Sequence, residues 1–128
     1  MGIFTKLFSS SSELKEEKQV PWIALTTLSQ LDEIEVTSKT KTQAIFKHST
    51  RCGISRMVIK QFESDYNLTN NLDLYYLDLL SYRAISNEIA NRFDIVHESP
   101  QLILIKNGIV VAQASHSAIN ALELDRLV

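Results

Sequence analysis

Apolar side chains along this chain recur with two spacings, and each spacing predicts an element. Steps of three and four, the period of a helix face, join Ile54, Met57, Val58 and Phe62, so a helix runs from about Cys52 to Phe62. Leu28, Leu31 and Ile34 share one face of a shorter helix, capped by Thr26 or Thr27 and running through Glu33. Ile85, Ile89 and Phe93 mark a helix over 82–93, and Ile119 and Leu122 a last one from about Ser117. Short runs rich in apolar residues read as strands: Gln43–Lys47, Leu72–Asp78, Leu102–Lys106 and Ile109–Ala114. The last two are joined by Asn107-Gly108, a pair suited to the positive φ angles of a tight hairpin turn. Asn67–Asn71 is turn chemistry.

The resulting order is helix, strand, helix, strand, helix, strand, strand, helix. Its strand–helix–strand portion predicts parallel neighbours with a right-handed crossover, and the hairpin adds antiparallel strands. The expected fold class is therefore α/β, a mixed central β-sheet flanked by helices on both faces.

Residues 9–19 are serines followed by charged and polar side chains, which predicts a flexible leader over 1–20 and one domain over 21–128. The chain of 128 residues is long enough to bury a core. Its 45% hydrophobic and 22% charged content is ordinary for a globular protein. A net charge of −2, with no basic cluster, gives no reason to expect a nucleic-acid or anionic-membrane partner. The longest apolar runs fall far short of the roughly 20 residues of a membrane helix. The start of the chain has no secretory cleavage pattern, and Lys6 stands where a myristoylation motif needs Ser or Thr. With a single Cys, no internal disulfide can form, and a reducing, cytoplasmic setting is expected.

That cysteine is the candidate centre of chemistry. Cys52 follows a predicted strand and opens a predicted helix, where unpaired backbone N–H groups and the helix dipole stabilise negative charge. A thiolate is the nucleophile of thiol chemistry. Arg51 adds a neighbouring positive charge, and Ser55 in the first helical turn can offer its hydroxyl to the sulfur. In dithiol redox proteins this third position after the nucleophile carries the resolving Cys. With Ser55 there, a mixed disulfide at Cys52 cannot be resolved within the chain. The competing reading is a buried structural thiol. His48, His97 and His116 invite a metal reading, but only a loose His48-x3-Cys52 pair has ligand-like spacing, so no metal is expected. His48 or His97 can instead assist protonation of the thiol.

Lys47-His48-Ser49-Thr50-Arg51-Cys52-Gly53-Ile54-Ser55 resembles the active-site segment of the bacillithiol-system monothiol bacilliredoxins of the YtxJ type. Two further stretches are similar to the same family: Tyr76–Leu80 followed by Arg83, Ser86 and Asn87, and His97–Gly108 with Ser115-His116 after it. The likeness spans about residues 22–120. It implies a thioredoxin-like fold, with Cys52 catalytic and Arg51, Gly53 and Ser55 supporting its thiolate. It also implies a substrate side made of His48, Thr50, His97, Ser99 and Pro100. Pro100 matches the family's cis-proline, and by the same analogy the Ser99 backbone would pair with an extended client segment. Gly53 departs from the Pro commonly found there, which bears on redox poise and not on fold.

The function expected is a monothiol thiol-disulfide oxidoreductase. It removes a low-molecular-weight thiol, bacillithiol by resemblance, from protein mixed disulfides. It needs no cofactor beyond that thiol as co-substrate, and its partners are S-thiolated clients met as a monomer. An iron–sulfur carrier is one alternative, because Cys52-Gly53-Ile54-Ser55 is one residue from the Cys-Gly-Phe-Ser signature of monothiol glutaredoxins. The Gly-Gly turn those proteins use to hold glutathione is absent, since the glycines are Gly2, Gly53 and Gly108. The other alternative is a non-catalytic interaction module built on the same fold.

Overall fold

The computed structural model describes residues 20–67 and 71–128. The leader expected over 1–20 lies outside the described residues except for Val20, which packs against the core. Asn67–Asn71, read as a turn, is likewise outside them at 68–70.

In chain order the elements are β1 (Trp22–Ala24), α1 (Ser29–Thr37), β2 (Thr42–His48), α2 (Gly53–Asp65) and β3 (Leu72–Asp78). They are followed by α3 (Arg83–Arg92), β4 (Gln101–Lys106), β5 (Ile109–Ser115), a 3₁₀ helix (His116–Ala121) and the short α4 (Leu124–Leu127). The strands form one mixed sheet in the order β1-β3-β2-β4-β5. β3 is parallel to both β1 and β2, while β4 runs antiparallel to β2 and β5 antiparallel to β4.

Two differences from the sequence reading stand out. β1 was not expected: three residues are too few to display an alternation, and the strand forms because Trp22, Ile23 and Ala24 pair with Leu74, Tyr75 and Tyr76. The final helix from Ser117 is instead a 3₁₀ turn and a separate four-residue helix, divided by extended Leu122. Ile119 is the only residue of that 3₁₀ segment that is buried, so little packing rewards a longer regular helix.

The strands expected at 43–47, 72–78 and the hairpin are present with ends that move by a residue or two. Asn107 and Gly108 both take positive φ, 53° and 78°, as the two-residue turn requires. The first helix starts later than expected, but Thr27 does cap it. Thr27 Oγ1 accepts the Gln30 N–H, and Gln30 Oε1 accepts the Thr26 and Thr27 N–H groups, a reciprocal capping box.

The sheet separates two apolar layers. Ala44, Phe46, Leu72, Leu74, Leu102 and Leu104 face α2 and the 3₁₀ helix. Ile45, Tyr75, Leu77, Ile103 and Ile105 face α1 and α3. β4 is covered on both sides, which is why Leu102–Ile105 reads as an unbroken apolar run, while β5 at the edge alternates.

Candidate active site

The sheet register gathers the candidate residues at one end of the molecule. β2 and β3 run parallel, and Leu79 N–H donates to His48 O just past their pairing, so both strands deliver their C-terminal ends to the same edge. β4 runs the other way, and Lys47 pairs with Gln101, so the residues before β4 arrive at that edge too. His48–Cys52 and His97–Pro100, about fifty positions apart in sequence, are thereby brought together.

Cys52 occupies the cap position of α2, with φ −100° and ψ 123°. Its N–H donates to Ser49 O and its C=O accepts from Arg56 N–H. Its side chain is exposed and makes no capping hydrogen bond, which removes the buried-thiol reading. Thr50, Arg51, Gly53, Ile54 and Met57 around it are exposed as well. A Cβ at Gly53 would meet no atom within 4 Å, and the extended backbone of Cys52 is the conformation that a following proline requires. Gly53 therefore meets no steric demand here, and a Pro in its place would fit the same backbone.

Ser55 is placed differently from expectation. It is fully buried, its Oγ lies 2.7 Å from His48 Nδ1, and it accepts the Ser49 N–H at 3.2 Å. Its hydroxyl is turned inward to brace the β2–α2 loop and does not serve the sulfur. Ser55 shares the inward face of α2 with Val58, Ile59 and Phe62, which follow it at three, four and seven residues. His48 is corrected in the same way. It is buried, bonded to Ser55 and packed on Tyr76 with ring centroids 5.6 Å apart, so it supports the loop from within and offers no face to a substrate. The His48-x3-Cys52 pair is thus split between core and surface, and among the described residues no three His, Cys, Asp or Glu side chains converge.

Burial holds the His48 pKa below 6.5 against the pull of Asp78 and Glu63, with Arg56 lowering it further. The imidazole is neutral in the fold at neutral pH. As pH falls below 6.5 the unfolded chain takes up this proton first, so stability present above that pH is lost on acidification. Urea midpoints are expected to drop between pH 7.5 and 5.5, and His48→Gln to flatten that dependence. Equal slopes for both proteins would contradict a neutral buried His48.

On the other side of the sheet edge, the Ser99–Pro100 peptide is cis, as the resemblance implied. Pro100 is buried, its C=O accepts the His116 N–H, and the Ser99 hydroxyl has no partner among the described residues. His116 takes positive φ and serves this backbone contact. His97 is exposed, and its Nδ1 lies 2.7 Å from Nζ of Lys47. Lys47 is the residue that sequence reasoning missed. It sits in a predicted strand next to His48, and only its fully buried state singles it out. Burial lowers its pKa from 10.5 to about 8, partly offset by Glu98, so keeping the ammonium there costs on the order of 3 kcal/mol. The His97 pKa is lowered by desolvation and by Lys47 and Arg83, with Glu98 opposing.

No helix among the described residues is long and apolar enough to cross a membrane. An exposed lone thiol capping a helix, beside a cis-proline loop on a mixed sheet, is an arrangement for thiol–disulfide exchange. Comparison with known proteins agrees. A thioredoxin-fold protein described as an oxidoreductase is 30% identical, with TM-score 0.67, covering 82% of this chain and 91% of its own. Mitochondrial thioredoxin 3 of Saccharomyces cerevisiae shares the fold at 20% identity and TM-score 0.60, over 80% of this chain and 90% of its own. Malassezia sympodialis thioredoxin does so at 21% and 0.59, over 73% and 77%. A family model described as monothiol bacilliredoxin BrxC matches residues 23–124. With its lone cysteine at the cap of α2 and that match across nearly the whole domain, the chain belongs to the monothiol bacilliredoxin family, proteins of thiol redox function.

Proposed function

We propose that the protein removes bacillithiol from protein mixed disulfides through Cys52. The observation that carries this reading is an exposed Cys52 at a helix cap with no second cysteine in the chain. The Cys52 thiolate attacks the bacillithiol sulfur of the client mixed disulfide. A Cys52–bacillithiol disulfide forms, the client S–S bond breaks, and the client sulfur leaves as a thiolate that takes a proton. A second bacillithiol thiolate then attacks the adduct, freeing Cys52 and leaving bacillithiol disulfide, the oxidised product. Because Ser55 cannot resolve the adduct, the second thiol must come from outside, and no resident cofactor is needed.

The backbone of Ser99 beside Pro100 offers polar groups to an extended client segment. Thr50 and Arg51 form the exposed rim next to the sulfur, where they can meet the client or the co-substrate. Exposed Ile54 and Met57 give apolar contact for a client on the same side. We place this reaction in the cytoplasm, with the protein acting as a monomer on S-thiolated clients.

The test is direct. Reduced protein is mixed with a client carrying a bacillithiol mixed disulfide, and intact masses are recorded. One bacillithiol mass gained on Cys52, with the client released reduced, is the expected result. No adduct, together with slow alkylation of Cys52 at neutral pH, would overturn the proposal.

A further inference from the structure

Lys47 is a buried cation that the exchange chemistry leaves without a task. Its side chain is fully buried on the α1/α3 side of β2, the face opposite His48. Buried ammonium groups are normally matched by a carboxylate, yet none among the described residues bonds this one. Its hydrogen-bond partner among the described residues is Nδ1 of His97, the first residue of the segment leading to Ser99 and Pro100. Ser86 Oγ from α3 lies 3.4 Å from the same nitrogen.

The segment is secured at other points as well. The buried Gln101 side chain donates to Val96 O and accepts the Glu98 N–H, and Ser115 Oγ donates to Glu98. The underside of residues 96–98 is thus a polar network, with Lys47 its one cationic member. An ammonium has donors only, so Nδ1 of His97 must accept, and the His97 proton must sit on Nε2. The charged groups facing His97 are Lys47 from β2, Arg83 from α3 and Glu98 in the segment itself. The first two disfavour a second proton on the ring and keep the acceptor in place.

We propose that Lys47 is a positioning residue of the exchange site: from beneath the sheet edge it clamps His97 in the Nε2–H tautomer and so holds the Ser99–Pro100 edge in register for the client opposite Cys52. The proposal rests on the exchange reading above for what that edge receives. An apolar side chain of similar length would fill the same volume without the cost of a buried charge. What it could not do is donate to His97.

Lys47→Met tests this. Its KM for the client mixed disulfide is expected to rise about tenfold, the signature of lost binding. Iodoacetamide, a small reagent that needs no client edge, should alkylate Cys52 within about twofold of the wild-type rate, and the melting temperature should stay level or rise. Nitrogen-15 spectra of the wild-type histidines should show His97 with its proton on Nε2, and Lys47→Met should mix the two tautomers. His97→Leu, a second variant that removes the clamp from the other side, should reproduce the KM rise.

An unchanged KM in both variants would overturn the proposal. So would a KM rise matched by slower alkylation and a lower melting temperature, which is what a merely structural lysine would give. If wild-type protein takes up no bacillithiol, the exchange reading fails by itself. The tautomer spectra then decide the clamp: mixing in Lys47→Met upholds it, and no change overturns it.

Discussion

Cys52→Ser is expected to reduce release of the small thiol from client mixed disulfides to the uncatalysed background. The loss should be on the order of a thousandfold or more, the scale seen when an enzyme loses its nucleophile. A serine hydroxyl is not ionised near neutral pH, and an alkoxide does not exchange with disulfide sulfur. No second cysteine in the chain can substitute. The same variant should keep its stability to within about 0.5 kcal/mol, because the Cys52 side chain is exposed and makes no capping hydrogen bond. Client release by mass spectrometry, paired with a urea melt, checks both halves. Residual turnover within about tenfold of wild type would remove Cys52 from the reaction. A matching collapse in stability would return it to a structural role.

The second large effect concerns the support under that thiol. Phe46 is fully buried in the central strand β2, two residues before His48. Its ring meets Trp22 edge-on at 5.7 Å between centroids, and Phe62 of α2 at 5.2 Å. Phe46→Ala would remove the contact through which β2 seats the helix that begins beside Cys52. Truncations of this kind cost about 3–5 kcal/mol. Against a total of roughly 5–15 kcal/mol, that is at least about a fifth of the stability of an ordinary domain. A fall in melting temperature of about 10–20 °C should follow for a domain of this size. Leu104→Ala, in the same apolar layer, should behave alike, whereas Met57→Ala on the exposed side of α2 should change the melt little. A Phe46→Ala melt within about 3 °C of wild type would mean that this aromatic cluster does not hold α2 to the sheet.

Much of this architecture was legible in the chain because its signals are local. The Asn107-Gly108 turn is set by which residues accept positive φ, and both do. The helix after Cys52 shows itself in apolar residues three and four apart, and the structure buries Val58, Ile59 and Phe62 on that face. Ile54 and Met57, counted in the same pattern, turn out to be exposed. Periodicity locates a helix but does not say which edge of its apolar stripe is covered. Pro100 was placed by resemblance, and its cis peptide agrees with that placement.

The chain by itself determined the α/β class, the elements flanking the site, and the presence of one thiol at a helix start with no resolving partner. Each of these follows from residues within a few positions of one another. Tertiary structure alone decided the rest. It made a strand of Trp22–Ala24 by supplying β3 as a neighbour. It turned Ser55 and His48 inward on each other and away from the sulfur. It set Lys47, unremarkable in sequence, beneath His97, fifty positions later. The physical reason is the same in all three cases. A side chain's partner across a sheet edge is fixed by strand order and register, and these depend on how distant segments pack, which no local spacing of residues encodes.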